Sequence, residues 1–133
     1  MINTEFLYMS MFSNLIPTPE PMKAQSRVQD LKSRLDWGEP ALTIIDTRSR
    51  EAFNASHIQG AISLPMDVLV SRIGETIEPA RDIYVYGETD EETAQAAAKL
   101  REAGYPNVAE LTGGLAAWKA VGYPVEAISA IIA

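Results

Sequence analysis

The sequence predicts an α/β fold in which a parallel β-sheet is flanked by helices on both faces. Short apolar and β-branched segments alternate with helical segments along the chain. This alternation is typical of parallel strands joined by helical crossovers. The length of 133 residues suits one domain, and a composition of 47% apolar and 22% charged residues is that of a globular domain with its own core.

The first predicted element is a helix that begins at Ser26. Gln29 stands three residues further on, at the spacing of a capping box, and Gly38 follows the helix end. The predicted buried stripe of this helix consists of Val28, Leu31 and Leu35. A buried strand is predicted next, because residues 41–45 form a short apolar run with two isoleucines.

The middle of the chain predicts a polar helical turn that ends near Ala55, followed by a strand at residues 60–65. Residues 68–73 predict a short helix with Val68, Leu69 and Ile73 directed inward. Aromatic and β-branched side chains then predict a central strand at residues 82–86.

The last elements are predicted from an alanine-rich segment and a pair of glycines. Residues 93–103 predict a helix because alanine favours helices and Gly104 ends the run. A strand is expected at residues 108–111, followed by Gly113, Gly114 and a helix through Trp118.

Three regions are expected along the chain. Residues 1–21 form an apolar leader with a Pro-rich connector, residues 22–126 form the domain, and residues 127–133 form an apolar tail. The leader could clamp the domain, pair with a second copy to form a homodimer, or lie on a membrane surface. The absence of Lys and Arg before Lys23 speaks against the membrane surface.

Composition excludes several classes of function. The net charge is −7 and the eleven Lys and Arg residues are scattered, so nucleic acid is not an expected partner. The chain has no cysteine and one histidine, so neither disulfides nor a Cys- or His-based metal site is expected, and no cofactor is predicted. No run approaches the ~18–20 apolar residues of a transmembrane segment. The N-terminal residues do not form a secretory signal, which predicts a cytoplasmic protein.

The candidate site is the junction that follows strand 82–86. Ligands of open α/β sheets bind beyond the carboxyl ends of the strands, often at a helix N-terminus. Residues 87–92 connect this strand with the helix at 93–103. A strand–loop–helix of this kind directs several backbone amides at one point and predicts a cradle for an anion.

Several stretches of the sequence resemble the rhodanese-like family of single-domain sulfurtransferases. The resemblance covers about residues 22–126 and rests on the order and spacing of residues 44–48, 51–53, 57–62, 83–86, 103–105, 111–118 and 122–125. It implies the α/β fold predicted above, and it implies that the loop after strand 82–86 is the site of chemistry in this family.

In that family the loop reads Cys-x-x-Gly-x-Arg, and its cysteine carries the transferred sulfur as a persulfide. The six matching positions here begin with Gly87, have Asp90 in place of the glycine and end with Glu92 in place of the arginine. The length of the loop is kept, but the nucleophile is missing. The resemblance therefore implies a degenerate site with no catalytic residue of the family's kind at Gly87, Glu88, Thr89, Asp90, Glu91 or Glu92.

Two interpretations of the acidic loop remain open. Acids in the first turn complement the helix dipole, and Thr89 and Glu92 have capping-box spacing, with Asp90 an equally good cap. The loop could thus serve only to start the helix. Alternatively, it presents an acidic surface to a partner, for which the binding candidates are Glu88, Asp90, Glu91, Glu92 and Arg48.

Other polar residues receive structural interpretations. Asp46 and Arg48 are expected to form a network with Glu51 near the strand end. His57 matches a fixed position of the family and is expected to be a packed, hydrogen-bonded residue rather than a base. Tyr105 and Trp118 are expected in the core or at its rim.

The resulting hypothesis is a non-catalytic domain that acts as a binding or regulatory module. The negative charge of the loop would repel an anionic donor such as thiosulfate. The same charge would attract a protein partner with a basic surface. Two alternatives are a sulfurtransferase with residual activity and a catalyst that uses the loop carboxylates on a neutral or cationic substrate.

Overall fold

The computed structural model describes residues 19, 21–38 and 41–128. The predictions made for the leader at residues 1–18 and for most of the apolar tail, at residues 129–133, lie outside the described residues. Within the described part of the chain, no helix combines the length and apolar character that a membrane span requires.

The centre of the fold is a five-stranded parallel sheet. Its strands lie in the order β1, β6, β5, β2, β4. A separate antiparallel pair joins β3 to β7. The strands are β1 (Gln25–Ser26), β2 (Leu42–Asp46), β3 (His57–Ile58), β4 (Ile62–Ser63), β5 (Asp82–Tyr86), β6 (Val108–Leu111) and β7 (Val125–Glu126).

Helices cover both faces of the sheet, which confirms the predicted α/β architecture. They are α1 (Val28–Trp37), α2 (Arg50–Ala55), α3 (Leu69–Thr76), α4 (Asp90–Glu102) and α5 (Gly114–Ala120). Residues of α3 and α4 belong to one apolar cluster, and residues of α1, α2 and α5 belong to another.

The two clusters are separated by the alternation of side chains along the central strands. Ile83 and Val85 contribute to the α3–α4 cluster, whereas Tyr84 and Tyr86 contribute to the other. All four are buried. Successive side chains of a strand point to opposite faces, so β5 supports both cores and holds its carboxyl end in a fixed place.

The start of the first helix differs from the prediction. Ser26 is the last residue of β1, where it pairs with Leu111, and α1 begins at Val28. The capping interaction belongs to Arg27 and Asp30, because the backbone amide of Arg27 donates to Asp30 Oδ2 at 2.9 Å. The pairing of β1 with β6 takes Ser26 away from the cap position.

The buried stripe of α1 was also predicted wrongly at one position. Leu35 is 36% exposed, whereas Arg34 is 7% exposed and lies against the sheet. Arg34 Nη1 lies 3.2 Å from the hydroxyl of Tyr84 and 3.0 Å from Asp82 Oδ2. These polar partners stabilise a charged residue at a position where a 3.6-residue period favours an apolar one.

Candidate functional site

The candidate site lies where β2 and β5 end side by side. Asp46 is the register partner of Tyr86, so the two strands end at the same level. Thr47 follows β2, and its amide and hydroxyl both donate to the carbonyl of Tyr86, at 2.9 and 3.2 Å. The loop Gly87–Thr89 leaves β5 at this point and leads directly into α4.

Gly87 is buried in a position that leaves little space for a side chain. A Cβ atom added there would lie 3.0 Å from Thr47 Oγ1, 3.2 Å from Glu92 Cβ and 3.4 Å from the amide nitrogen of Thr93. Its φ angle is not among the positive ones of the chain, so the glycine is not required by backbone conformation. Steric space, rather than backbone geometry, favours glycine here.

The backbone amides of the loop are bonded to oxygens of the chain itself. The amide of Gly87 donates to Thr93 Oγ1 at 2.8 Å, and the amide of Glu88 donates to Glu92 Oε2 at 3.1 Å. The hydroxyl of Thr93 donates in turn to the carbonyl of Thr89 at 3.0 Å. The carboxylate of Glu92 therefore accepts the hydrogen bond of an amide that an external anion would otherwise use.

Thr89 is the N-cap of α4, as one of the two interpretations of the loop predicts. Its hydroxyl accepts from the amide of Glu92 at 3.1 Å. The return bond expected of a capping box runs from Glu92 to the amide of Glu88 instead of that of Thr89. The helix starts at Asp90, three residues before the predicted Thr93.

The four loop acids divide into two kinds. Asp90 Oδ1 accepts from the amide of Gly113 at 2.9 Å, and Glu92 is bonded within the loop. Glu88 and Glu91 are exposed, and no side-chain hydrogen bond or ion pair of either occurs among the described residues. The helix-start interpretation accounts for Asp90 and Glu92, and a partner contact through the acidic loop stays a prediction.

Arg48 lies beside the loop, but its guanidinium is committed to Asp46. Nη2 of Arg48 lies 2.7 Å from Asp46 Oδ2, and Nε lies 3.1 and 3.2 Å from the two carboxylate oxygens. Burial alone lowers the pKa of Arg48, but the hydrogen bond and charge of Asp46 outweigh it, so the pKa is raised. Arg48 also donates to the carbonyl of Ser56.

The expected network of Asp46, Arg48 and Glu51 is wrong in its third member. Glu51 is exposed in the first turn of α2, and the backbone carbonyls of Ala52 and Ser56 take its place around Arg48. Helix α2 turns its carbonyl end toward the guanidinium, which a sequence pattern does not reveal. These contacts give Arg48 a structural role, and its predicted role in binding a partner stays a prediction.

His57 is buried and packed, as expected. Its ring stacks on Phe53 with the centroids 3.7 Å apart, and Nδ1 lies 2.7 Å from the carbonyl of Phe53. Because a carbonyl only accepts, Nδ1 carries the proton. Tyr105 and Trp118 are core residues whose polar atoms donate to the carbonyls of Ile77 and Pro124.

A shallow depression of about 490 Å³ opens beside the loop. It is lined by residues that follow β2 and β4 and by the start of α4, among them Arg48, Asp67, Glu88, Glu92 and Gln95. Among the described residues, no group of three or more His, Asp or Glu side chains is placed to hold a metal ion. Asp67 and Thr47 were not among the predicted site residues, because their place beside the loop depends on how neighbouring strands pair.

Comparison with known proteins identifies the family to which the chain is similar. The rhodanese-like domain family matches residues 27–121. A sulfurtransferase from Allochromatium vinosum is 33% identical over 99 residues, which cover 74% of this chain and 91% of that protein. The adenylyltransferase and sulfurtransferase UBA4 of Lodderomyces elongisporus is 29% identical over 122 residues, and this chain spans 27% of its length.

Solved structures agree with the fold. The crystal structure of the Alr3790 protein from Anabaena sp. is 55% identical and superimposes with a TM-score of 0.76, covering 77% of this chain and 80% of that one. The solution structure of the rhodanese-like domain of the same protein is 52% identical, with a TM-score of 0.76 and coverage of 84% and 88%.

Proposed function

The chain belongs to the rhodanese-like domain family, and from that premise we propose that it is a non-catalytic member that binds a protein partner. Relatives in this family carry the name sulfurtransferase. Sulfur transfer through a persulfide needs a thiol, and this chain has no cysteine. The fold alone does not carry the activity of its relatives.

The observation that carries the proposal is the tight packing around Gly87 together with the bonded amides of its loop. Gly87 stands where the family has its nucleophile. A side chain at this position would contact Thr47, Glu92 and Thr93. The loop amides next to it already donate to Thr93 and Glu92. A site that had lost only its nucleophile would keep its loop amides available to an anion, whereas two of these amides are bonded to oxygens of the chain itself.

The charges at the loop support the same proposal. Glu88, Asp90, Glu91 and Glu92 are all exposed at the mouth of the site. Like charges repel a thiosulfate or phosphate anion, and a helix N-terminus offsets only part of this. The same exposed acids attract a partner with a basic surface, most directly through Glu88 and Glu91.

A thiosulfate-to-cyanide sulfur-transfer assay tests the non-catalytic proposal. We expect no turnover above the heat-denatured chain. The Gly87→Cys variant is expected to be no more active than Ala98→Cys, which places a thiol at an exposed position on α4. Turnover by the unaltered chain would overturn the proposal and favour the rival, a sulfurtransferase of unconventional mechanism.

The other alternative uses the loop carboxylates for acid–base catalysis. A general acid needs an environment that disfavours its ionised form, usually burial. All four carboxylates lie on exposed residues, so no observation favours this function. The cytoplasmic location and a homodimer formed through the leader remain predictions of the sequence.

A further inference from the structure

A groove runs from the acidic loop along the line where α3 and α4 pack together. The depression beside the loop and a second one of about 530 Å³ share Met66 and Asp67, so they form one continuous surface. We call it the α3–α4 groove. Beyond the shared residues, its far part is lined by Val70, Ser71, Lys99, Glu102 and Ala103.

The far part of the groove has an apolar base. Val70 is 50% exposed, the highest value among the exposed large apolar residues of the described chain. Met66 and Ala103 lie beside it in the same lining. Leu69 and Ile73 of the same helix are buried, so α3 has its core-facing side occupied and presents a valine on the other. A groove with an exposed apolar base can receive an apolar side chain.

The walls of the groove carry an excess of negative charge. Carboxylates stand at Glu88 and Glu92 near the loop, at Asp67 in the middle and at Glu102 at the far end. The cations in the lining are Arg48 and Lys99. The charge of Arg48 is already matched by the buried carboxylate of Asp46. The electrostatic complement of this surface is therefore cationic.

We propose that the α3–α4 groove binds a segment of a protein partner in which an apolar side chain is flanked by lysine or arginine residues. The apolar side chain packs against Val70 and Met66, and the cations face the carboxylates on both sides. This inference rests on the proposed function and names the class of partner for it. Nucleic acids and anionic lipids are excluded by their charge.

The geometry sets the length of the segment. The stretch of α4 from Glu92 to Glu102 spans about 15 Å at the rise of an α-helix. An extended peptide covers this distance with about five residues. The leader of this chain cannot supply the cations, because it has no Lys or Arg before Lys23.

Binding of a short amphipathic peptide of lysine and leucine, with blocked ends, tests the proposal on the full chain. We expect Val70→Ser to raise the Kd about fivefold through lost apolar contact. The double variant Asp67→Asn/Glu102→Gln is expected to raise it about fivefold through lost charge. Replacing leucine by serine in the peptide should weaken binding to the unaltered chain by a similar factor.

Matched variants elsewhere serve as controls. Val121→Ser removes an exposed valine at the end of α5, and Glu51→Gln/Glu78→Gln removes two exposed acids that do not line the groove. Both should leave the Kd within about twofold of the unaltered chain, because surface charges away from the contact contribute little. In NMR spectra, the peptide should shift the amides of Val70, Ser71 and Lys99.

Four results would overturn the proposal. They are no peptide binding, equal effects of groove and control variants, equally tight binding of the serine peptide, and a dimer of the chain that Val70→Ser dissociates. The last would show that a second copy occupies the groove. Turnover in the sulfur-transfer assay bears on the proposed function alone, so failure of the two proposals can be told apart.

Discussion

The carboxylate of Asp90 bonds to the backbone amide of Gly113, with Oδ1 and the nitrogen 2.9 Å apart. This bond joins the start of α4, which follows β5, to the turn after β6. Gly113 has a φ angle of +79°, and a Cβ there would lie 2.6 Å from Ala117 Cβ. Asp90, which stands in place of the glycine in the family's loop, thus stabilises the turn at Gly113, a position that requires glycine.

Removal of the Asp90 carboxylate should destabilise the fold. We expect Asp90→Ala to lower the free energy of unfolding by about 1 kcal/mol, because the amide of Gly113 loses its partner. Asp90→Asn keeps an acceptor oxygen and should recover much of the loss. Urea denaturation measures the difference. Glu91→Ala is the control for the helix dipole, since Glu91 stands in the same first turn. An equal loss in both alanine variants would contradict a specific role for Asp90.

Adding one methyl group at Gly87 should have the opposite effect from adding one at Gly74. Gly87→Ala forces Cβ against Thr47 and Glu92, and overpacking of this kind costs about 1–3 kcal/mol. Gly74 lies in α3 with only Tyr105 Oη nearby, at 4.0 Å. Gly74→Ala should therefore stabilise the chain by about 0.5–1 kcal/mol through helix propensity. Thermal denaturation of the two variants checks the sign, and a stable Gly87→Ala protein would show that the site is open.

The sequence predicts correctly those elements for which the local residue pattern and the tertiary packing favour the same structure. The predicted bounds of β5 and β6 match the structure, because apolar residues of both strands fill both cores. Ser26 and Leu35 were misassigned, since β1 and Arg34 depend on distant partners in β6 and β5. The two-residue strands β3 and β7 carry no local pattern at all and exist through their mutual pairing.

The candidate site was predictable in composition but not in geometry. The length of the loop and its acids are visible in the sequence. The tight packing at Gly87 is not, because it depends on Thr47, which follows the neighbouring strand β2, and on the side-chain direction of Glu92. The same holds for the α3–α4 groove, whose residues come from three separate segments of the chain.

Two buried tyrosines should make the fold sensitive to alkaline pH. Burial raises the pKa of Tyr84, despite the opposing effect of Arg34, and burial together with the charge of Asp46 raises that of Tyr86. In the unfolded chain both ionise near pH 10. Their folded pKa values are higher, so this stability is fully present below pH 10 and is lost as the pH rises above it.

Spectrophotometric titration of tyrosinate follows this effect. We expect Tyr84 and Tyr86, two of the five tyrosines, to ionise only as the chain unfolds. Tyr86→Phe should flatten the alkaline loss of stability, although it costs some stability at neutral pH because the amide of Ile58 loses its acceptor. If the titration curves of the unaltered chain and of this variant differ by one tyrosine that ionises near pH 10 in the folded state, the burial argument fails.

The pair formed by Asp46 and Arg48 should be strongly coupled. Asp46 is fully buried and the side chain of Arg48 is 10% exposed, so loss of either partner leaves a buried charge. We expect Asp46→Ala to destabilise the fold by about 3–5 kcal/mol. The double variant Asp46→Ala/Arg48→Ala should cost much less than the sum of the two single variants, because the second change removes the unmatched charge.

The exposed pair of Lys32 and Asp36 provides the matched comparison. Their side chains meet at 2.6 Å, but Asp36 is 59% exposed, so water replaces the lost partner. A double-mutant cycle on this pair should give a coupling of about 0.5 kcal/mol or less. Denaturation of both sets of variants in urea measures the two couplings under the same conditions. Similar couplings would mean that Arg48 is accessible to water and free to contact a ligand, which would return it to the binding candidates.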